Sequence, residues 1–222
     1  MELYEVMRTT FAAREYTGEI LPDKTLYEIL ENARFAPSGG NRQGNHVIVV
    51  RKEETRDALV KLLEPAAKRY FAQIKADESP WNTISSTKVT AEDVEKTAAP
   101  TRLMEPYKTA SVLLVITVDL KVVASMDQYL DRVGIISGAS IYPFAWNILL
   151  AARQAGFGGT ITTLAAAEEP EVQKLLNVPS DHAICAVLPL GKPVKQLTKL
   201  KRLSVEEIAT YEQFDGIPFT KS

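Results

Sequence analysis

A chain of 222 residues is long enough for one domain with a substantial core, and nothing in it demands two. Hydrophobic residues make up 45% and charged residues 24%, the balance of an ordinary soluble globular protein, and a net charge of -2 gives no electrostatic support to nucleic-acid or anionic-membrane binding. The single Cys185 excludes an internal disulfide framework and fits a reducing compartment, while two histidines, His46 and His182, leave little for a His-rich metal site or a serine-type triad.

Glu2 and Glu5 stand where a signal peptide needs basic residues. The longest apolar stretches, Ala110 to Val118 and Ile141 to Ala152, are too short or too polar to span a bilayer, so a cytoplasmic location is expected.

In chain order, Leu3, Val6 and Met7 mark a short first helix running into Thr9-Thr10. Leu26, Ile29, Leu30 and Ala33 recur at helical spacing, and Pro37 closes that helix. Val47 to Val50 reads as a buried strand, and Glu53 to Leu63 as a charged amphipathic helix. Residues 76–106 hold Pro80, Pro100, Pro106 and many Ser, Thr and Asp, which marks a long irregular excursion with room for short helices. It is either a lid or interface arm, or a mobile surface insertion. As a lid, its covering aromatics would be Trp81, Tyr107 and Phe71.

Val112 to Val118 is a β-branched and leucine run suited to a central strand. Gly138 to Gln154 reads as a helix apolar almost all round, with Pro143 in its first turns or at a kink, and belongs in a core or a subunit interface. Gly156-Phe157-Gly158-Gly159 ends it, and Thr160 to Leu164 begins strand-like. Pro170 to Leu176 forms a further helix. His182 to Leu190 is a strand ended by Gly191, and its Cys185 reads as a buried structural thiol. A basic tail from Lys192 turns helical over Val205 to Tyr211 and finishes with Ile217-Pro218-Phe219. Helices interleaved with a few buried strands point to an α/β or α+β sandwich over residues 1–222.

The stretch Ala36-Pro37-Ser38-Gly39-Gly40-Asn41-Arg42-Gln43 joins a helix to a strand. Its small residues let backbone N–H groups approach a ligand, Ser38 and Asn41 add side-chain donors and acceptors, and Arg42 and Gln43 reach further. The alternative is a tight turn with Gly39-Gly40 as the breaker.

Three separated motifs carry a family resemblance: Phe11-Ala12-Ala13-Arg14-Glu15-Tyr16 with Ile20-Leu21-Pro22 and Ala33 to Gln43; Gly156-Phe157-Gly158-Gly159-Thr160; and Lys201-Arg202-Leu203. In this order they resemble the nitroreductase-like flavoproteins over nearly the whole chain, residues 70–106 apart. The resemblance implies an α+β fold with a mixed, largely antiparallel sheet flanked by helices. It further implies an obligate homodimer with the flavin site at the subunit interface and a C-terminal arm, residues 192–222, reaching across the partner.

By the same resemblance the cofactor is FMN and the co-substrate NAD(P)H. Arg14 and Arg202, with Lys201 beside it, match residues meeting the FMN phosphate, where planar guanidinium donors pair with two oxygens. The family's paired arginines fall at Thr10 and Phe11 and its serine at Ala12, so positive charge is missing there; the Thr10 hydroxyl remains for phosphate. Pro37, Ser38, Gly39 and Asn41 match the loop along the pyrimidine and ribityl side, and Thr162, Thr163 and Leu164 the segment near flavin N5 and O4. The Gly156 to Gly159 run reads equally well as a helix stop without a ligand role.

No acid–base dyad stands out, and none is required where the flavin carries the redox chemistry. The implied mechanism is ping-pong hydride transfer from NAD(P)H to a small acceptor such as a nitroaromatic or quinone. A specialised dehalogenase or oxidase is the alternative within redox chemistry. A flavin-binding or ligand-sensing dimer without turnover is the alternative outside it.

Overall fold

Thirteen elements follow one another along residues 1–221, which the computed structural model describes. They are α1 (Leu3–Thr9), α2 (Asp23–Ala33), β1 (Asn45–Val50), α3 (Glu53–Lys75), α4 (Ala91–Glu95), α5 (Thr101–Thr109), β2 (Val112–Asp119), α6 (Tyr142–Gln154), β3 (Gly158–Gly159), α7 (Leu164–Ala167), α8 (Glu169–Leu176), β4 (His182–Gly191) and α9 (Val205–Ile208). The strands form one sheet in the order β1-β2-β4-β3, and every pairing between them is antiparallel. A parallel bridge, Ala12 to Gly159, adds the N-terminal segment at the β3 edge. This is the α+β sandwich with a largely antiparallel sheet expected above.

Alternation along β2 builds two cores. Val112, Leu114, Ile116 and Val118 face α2 and α6, whereas Leu113 and Val115 face α3, α5 and α8. From Val112 to Val118 the strand is buried on both sides, as its unbroken apolar run requires. A β-bulge interrupts the pairing with β4: Ile116 opposes Ala186 but Thr117 opposes Ile184, so Cys185 is the extra residue. It lies buried, and burial pushes its thiol up to about 12, with Glu169 adding to the effect.

Four boundaries depart from the sequence reading. The helix expected to end at Leu63 continues to Lys75 across Pro65, because Ala66, Ala67 and Ala72 extend its buried stripe. That burial outweighs the hydrogen bond lost at Pro65, a defect worth about 3 kcal/mol. Between Lys75 and Tyr107 the chain is less irregular than its composition suggests: Thr90 caps α4 with a capping box, and α5 follows Pro100. Glu78 ties the intervening loop down by accepting from the Thr87 hydroxyl at 2.6 Å and the Lys88 N–H at 2.6 Å.

The helix read from Gly138 starts at Tyr142, after a 3-10 turn, with Pro143 in its first turn where no N–H is needed. The strand expected over Thr160 to Leu164 shrinks to one bridge, Thr162 to Val187, before Leu164 opens α7 among alanines. The last helix ends at Ile208 instead of Tyr211; from Ala209 the chain turns extended and bridges Thr210 to Pro218.

The glycine run after α6 has separable duties. Gly156, at φ +80°, ends the helix, with Phe157 N–H donating to Ala152 O at 2.8 Å and Gly156 N–H to Arg153 O at 3.0 Å. At Gly159 a Cβ would overlap the Pro189 carbonyl oxygen and Leu190 Cδ2. Gly159→Ala should therefore lower stability by about 1–3 kcal/mol through overpacking, read from the midpoint of chemical denaturation.

Candidate active-site cleft

Backbone hydrogen bonds place the segment that carries Arg14, and the Arg14 side chain donates from Nη1 to Ala12 O at 3.2 Å. Ala13 N–H donates to Gly159 O at 3.0 Å, Thr17 N–H to Lys192 O at 2.9 Å, and Val194 N–H to Glu15 O at 3.0 Å. The Tyr16 hydroxyl bonds the Ala13 carbonyl at 2.8 Å and the Pro189 carbonyl at 3.0 Å, and burial holds its pKa well above the usual phenol value. These bonds lay residues 12–17 along the end of the sheet and turn Arg14 towards a cleft of about 600 Å³.

The Thr160–Leu164 turn forms one wall of that cleft, and Tyr70, Pro80, Trp81, Leu103 and Pro106 face it. Thr162 is pinned in both directions, donating its N–H to Val187 O at 3.0 Å and accepting from Val187 N–H at 2.8 Å. Its hydroxyl bonds the phenol of Tyr107, a side chain with no exposed surface. Burial pushes the Tyr107 phenol up to about 12, partly offset by that bond. Trp81 has a left-handed backbone, φ 56°, and the Arg69 guanidinium lies 4.5 Å from the ring centre, a cation–π contact.

Of the residues singled out in the sequence, the structure gathers Arg14, Thr162, Thr163 and Leu164 around this cleft. Ala12 lies next to it in the bridge to Gly159. Thr10 is buried, and its hydroxyl donates to Val6 O at 2.7 Å within the end of α1. Lys201 and Arg202 sit on an exposed segment away from the cleft, with Arg202 Nη1 donating to Lys201 O at 2.8 Å.

The Pro37-Ser38-Gly39-Asn41 loop also lies outside the cleft of its own chain. It forms one 3-10 turn with Gly40 at φ 61° and Asn41 at φ 53°. Ser38 Oγ accepts from Gln43 N–H at 2.9 Å, and Ser140 Oγ accepts from Gly39 N–H at 3.0 Å. Of the three aromatics expected over a ligand, Trp81 lines the cleft and Tyr107 lies behind it. Phe71 does not line it; Tyr70 does, because one residue along a helix rotates the side chain by about 100°. Tyr70 and Leu103 were missed because nothing in the sequence showed that α3 runs beyond Pro65 or that α5 exists.

Ser140 terminates the segment between β2 and α6, and a buried carboxylate organises that segment. Asp127 accepts from Ile135 N–H at 2.7 Å, Arg132 Nη1 at 2.8 Å and Ser125 Oγ at 3.1 Å. These bonds, the Ile135 N–H foremost, hold its pKa well below the usual carboxylate range. The depressed folded-state value makes Asp127 stabilising above about pH 4, with its contribution withdrawn as pH falls towards the lowered pKa. Asp127→Ala should loosen this segment and speed hydrogen exchange at Ile135 and, through Ser140, at Gly39, while the β2 amides stay protected.

A sheet held between two helical layers, with a polar-floored and aromatic-walled cleft at its end, defines a pocket-bearing α+β protein. Residues 7–192 match the model of the nitroreductase family, and the chain belongs to that family. It is 27% identical to an iodotyrosine dehalogenase 1 homolog of Caenorhabditis elegans over 89% of this chain and 60% of that protein. The chain thus spans less than two thirds of that relative. An iodotyrosine deiodinase of Thermotoga neapolitana is 24% identical over 96% of this chain and 98% of its own length. Among solved structures, oxidized iodotyrosine deiodinase bound to FMN and 3-iodo-L-tyrosine superposes with a TM-score of 0.69 at 22% identity, covering 96% of this chain and all of that one. Among the described residues no helix is long and apolar enough to cross a membrane.

Proposed function

We propose that this protein is an FMN-dependent oxidoreductase carrying two electrons from NAD(P)H to a small, flat oxidised acceptor. The observation behind this reading is the meeting, in one cleft, of the cation Arg14, the threonines Thr160, Thr162 and Thr163 and an apolar, aromatic wall. An anionic nucleotide with a three-ring head needs all three kinds of contact. The cleft volume also falls within the range of small-molecule sites. Bound FMN supplies the hydride chemistry; the protein contributes binding, orientation and exclusion of water. Arg14 offers a charged donor to the nucleotide, Thr162 and Thr163 offer hydroxyls at the ring edge, and Tyr70 and Trp81 offer faces on which a flat acceptor stacks.

The working form in this reading is a homodimer. Ser38, Gly39, Asn41, Lys201 and Arg202 lie away from the cleft of their own chain, and a second copy brings such a set to the site. Exposed apolar side chains give that copy a surface: Leu3, Tyr4 and Met7 on α1, Tyr142 and Trp146 on α6, and Phe214, Ile217 and Phe219 in the tail.

Reductive dehalogenation of an aromatic substrate is the second reading, favoured by the deiodinases among the relatives. Purified protein with flavin absorbance bands that bleach on anaerobic titration with NADH or NADPH supports the first reading. Bands bleached by dithionite alone and restored by a halophenol, with halide released, support the second. Protein that stays colourless when offered FMN overturns both.

Arg14→Ala should weaken FMN binding about tenfold or more, the scale of one lost charge-assisted hydrogen bond, measured by fluorescence titration. Arg202→Ala should lower FMN retention on gel filtration in the same direction, and unchanged occupancy in both variants places the phosphate elsewhere.

A further inference from the structure

Tyr107 has no exposed surface, and its hydroxyl has a single hydrogen-bond partner among the described residues, the hydroxyl of Thr162. Each hydroxyl carries one proton, so the bond runs one way or the other. If Thr162 donated, the phenolic proton would be buried with no acceptor, a state that folded proteins avoid. If Tyr107 donates, both groups are satisfied and the Thr162 proton is released from the interior. The backbone N–H and C=O of Thr162 are already committed to Val187. The released hydroxyl proton is therefore the polar hydrogen that Thr162 can present to the cleft it lines.

We propose that Tyr107 is a positioning residue: its buried phenol, by donating to Thr162, fixes the Thr162 hydroxyl as a hydrogen-bond donor into the cleft. The ligand atom that such a donor selects is an acceptor on the rim of a conjugated ring system. Where that atom gains electron density on reduction, the bond strengthens in the reduced state, and the site raises the ligand's reduction potential. Because the phenol stays protonated through the physiological range, the donor direction does not reverse with pH. The inference rests on the flavin reading above, with Tyr107 acting through Thr162 and never touching the ligand itself.

The test uses the full chain loaded with FMN and two readouts, the FMN dissociation constant and the reduction midpoint from anaerobic titration. Tyr107→Phe, which removes one oxygen and keeps the ring, should weaken FMN binding roughly three- to tenfold and move the midpoint to more negative potential. Thr162→Val should do the same or more, Thr162→Ser should retain wild-type values, and Tyr107→Phe combined with Thr162→Val should go no further than Thr162→Val alone. Additive effects in the double variant, or a Tyr107→Phe protein with unchanged dissociation constant and midpoint, overturn the proposal. Should Tyr107→Phe fail to fold, the contrast between Thr162→Ser and Thr162→Val decides: equal midpoints in those two variants overturn it. Wild-type protein that binds no FMN overturns the functional reading and this inference together, whereas wild-type binding with an unresponsive Tyr107→Phe overturns this inference alone.

Discussion

The close backbone approach at Gly159 is the contact on which the cleft depends. Without a side chain there, Gly159 pairs with Leu190 on one side and bridges Ala12 on the other. The missing side chain lets β3 lie tight against β4, and the outer edge of β3 takes the N-terminal segment. Arg14 and Thr162, 148 positions apart in sequence, meet for that reason. A Cβ at 159 would overlap the Pro189 carbonyl oxygen and Leu190 Cδ2, so a larger residue would strain the β3–β4 pairing to which the N-terminal segment is bridged. The site is therefore a product of long-range backbone packing more than of any local motif.

A second layer of control lies behind the cleft wall. Thr162 is held by its backbone to β4 and by its side chain to α5 through Tyr107, so two elements converge on one small residue. Convergence of this kind limits the freedom of a polar group before a ligand arrives, which lowers the ordering cost of binding. The opposite side of the cleft is built differently. Tyr70 rides on a long helix, and Trp81 on a loop anchored to Gln73 by a 3.2 Å bond to its backbone N–H. Differences between family members in what they accept are expected to concentrate in that half, which carries shape and few fixed polar groups.

Strands β1, β2 and β4 were legible because their chemistry is local, whereas the two-residue β3 was not. Val112 to Val118 is apolar without interruption, and both faces of that strand are indeed covered. The helix after Val50 was read short because Pro65 is a breaker by propensity; what carries the helix past it is the buried stripe of Ala66, Ala67 and Ala72, a tertiary effect that spacing alone does not weigh. Short helices α4, α5 and α7 were hidden for a similar reason, since caps and docking stabilise them where periodicity has too few turns to register. Arg14 and Thr162 to Leu164, which line the cleft, were singled out through motif resemblance. Tyr107 was noticed only as an aromatic in a loop, because its buried hydroxyl bond depends on a partner 55 residues away.

The bulge in β4 places the sole thiol of the molecule, Cys185, in the buried layer under α6, where burial, with Glu169 beside it, disfavours the thiolate. Burial at this position slows reagents that attack sulfur. The rate at which a maleimide or a disulfide probe labels this protein should therefore rise as its interior opens, with no engineered cysteine needed.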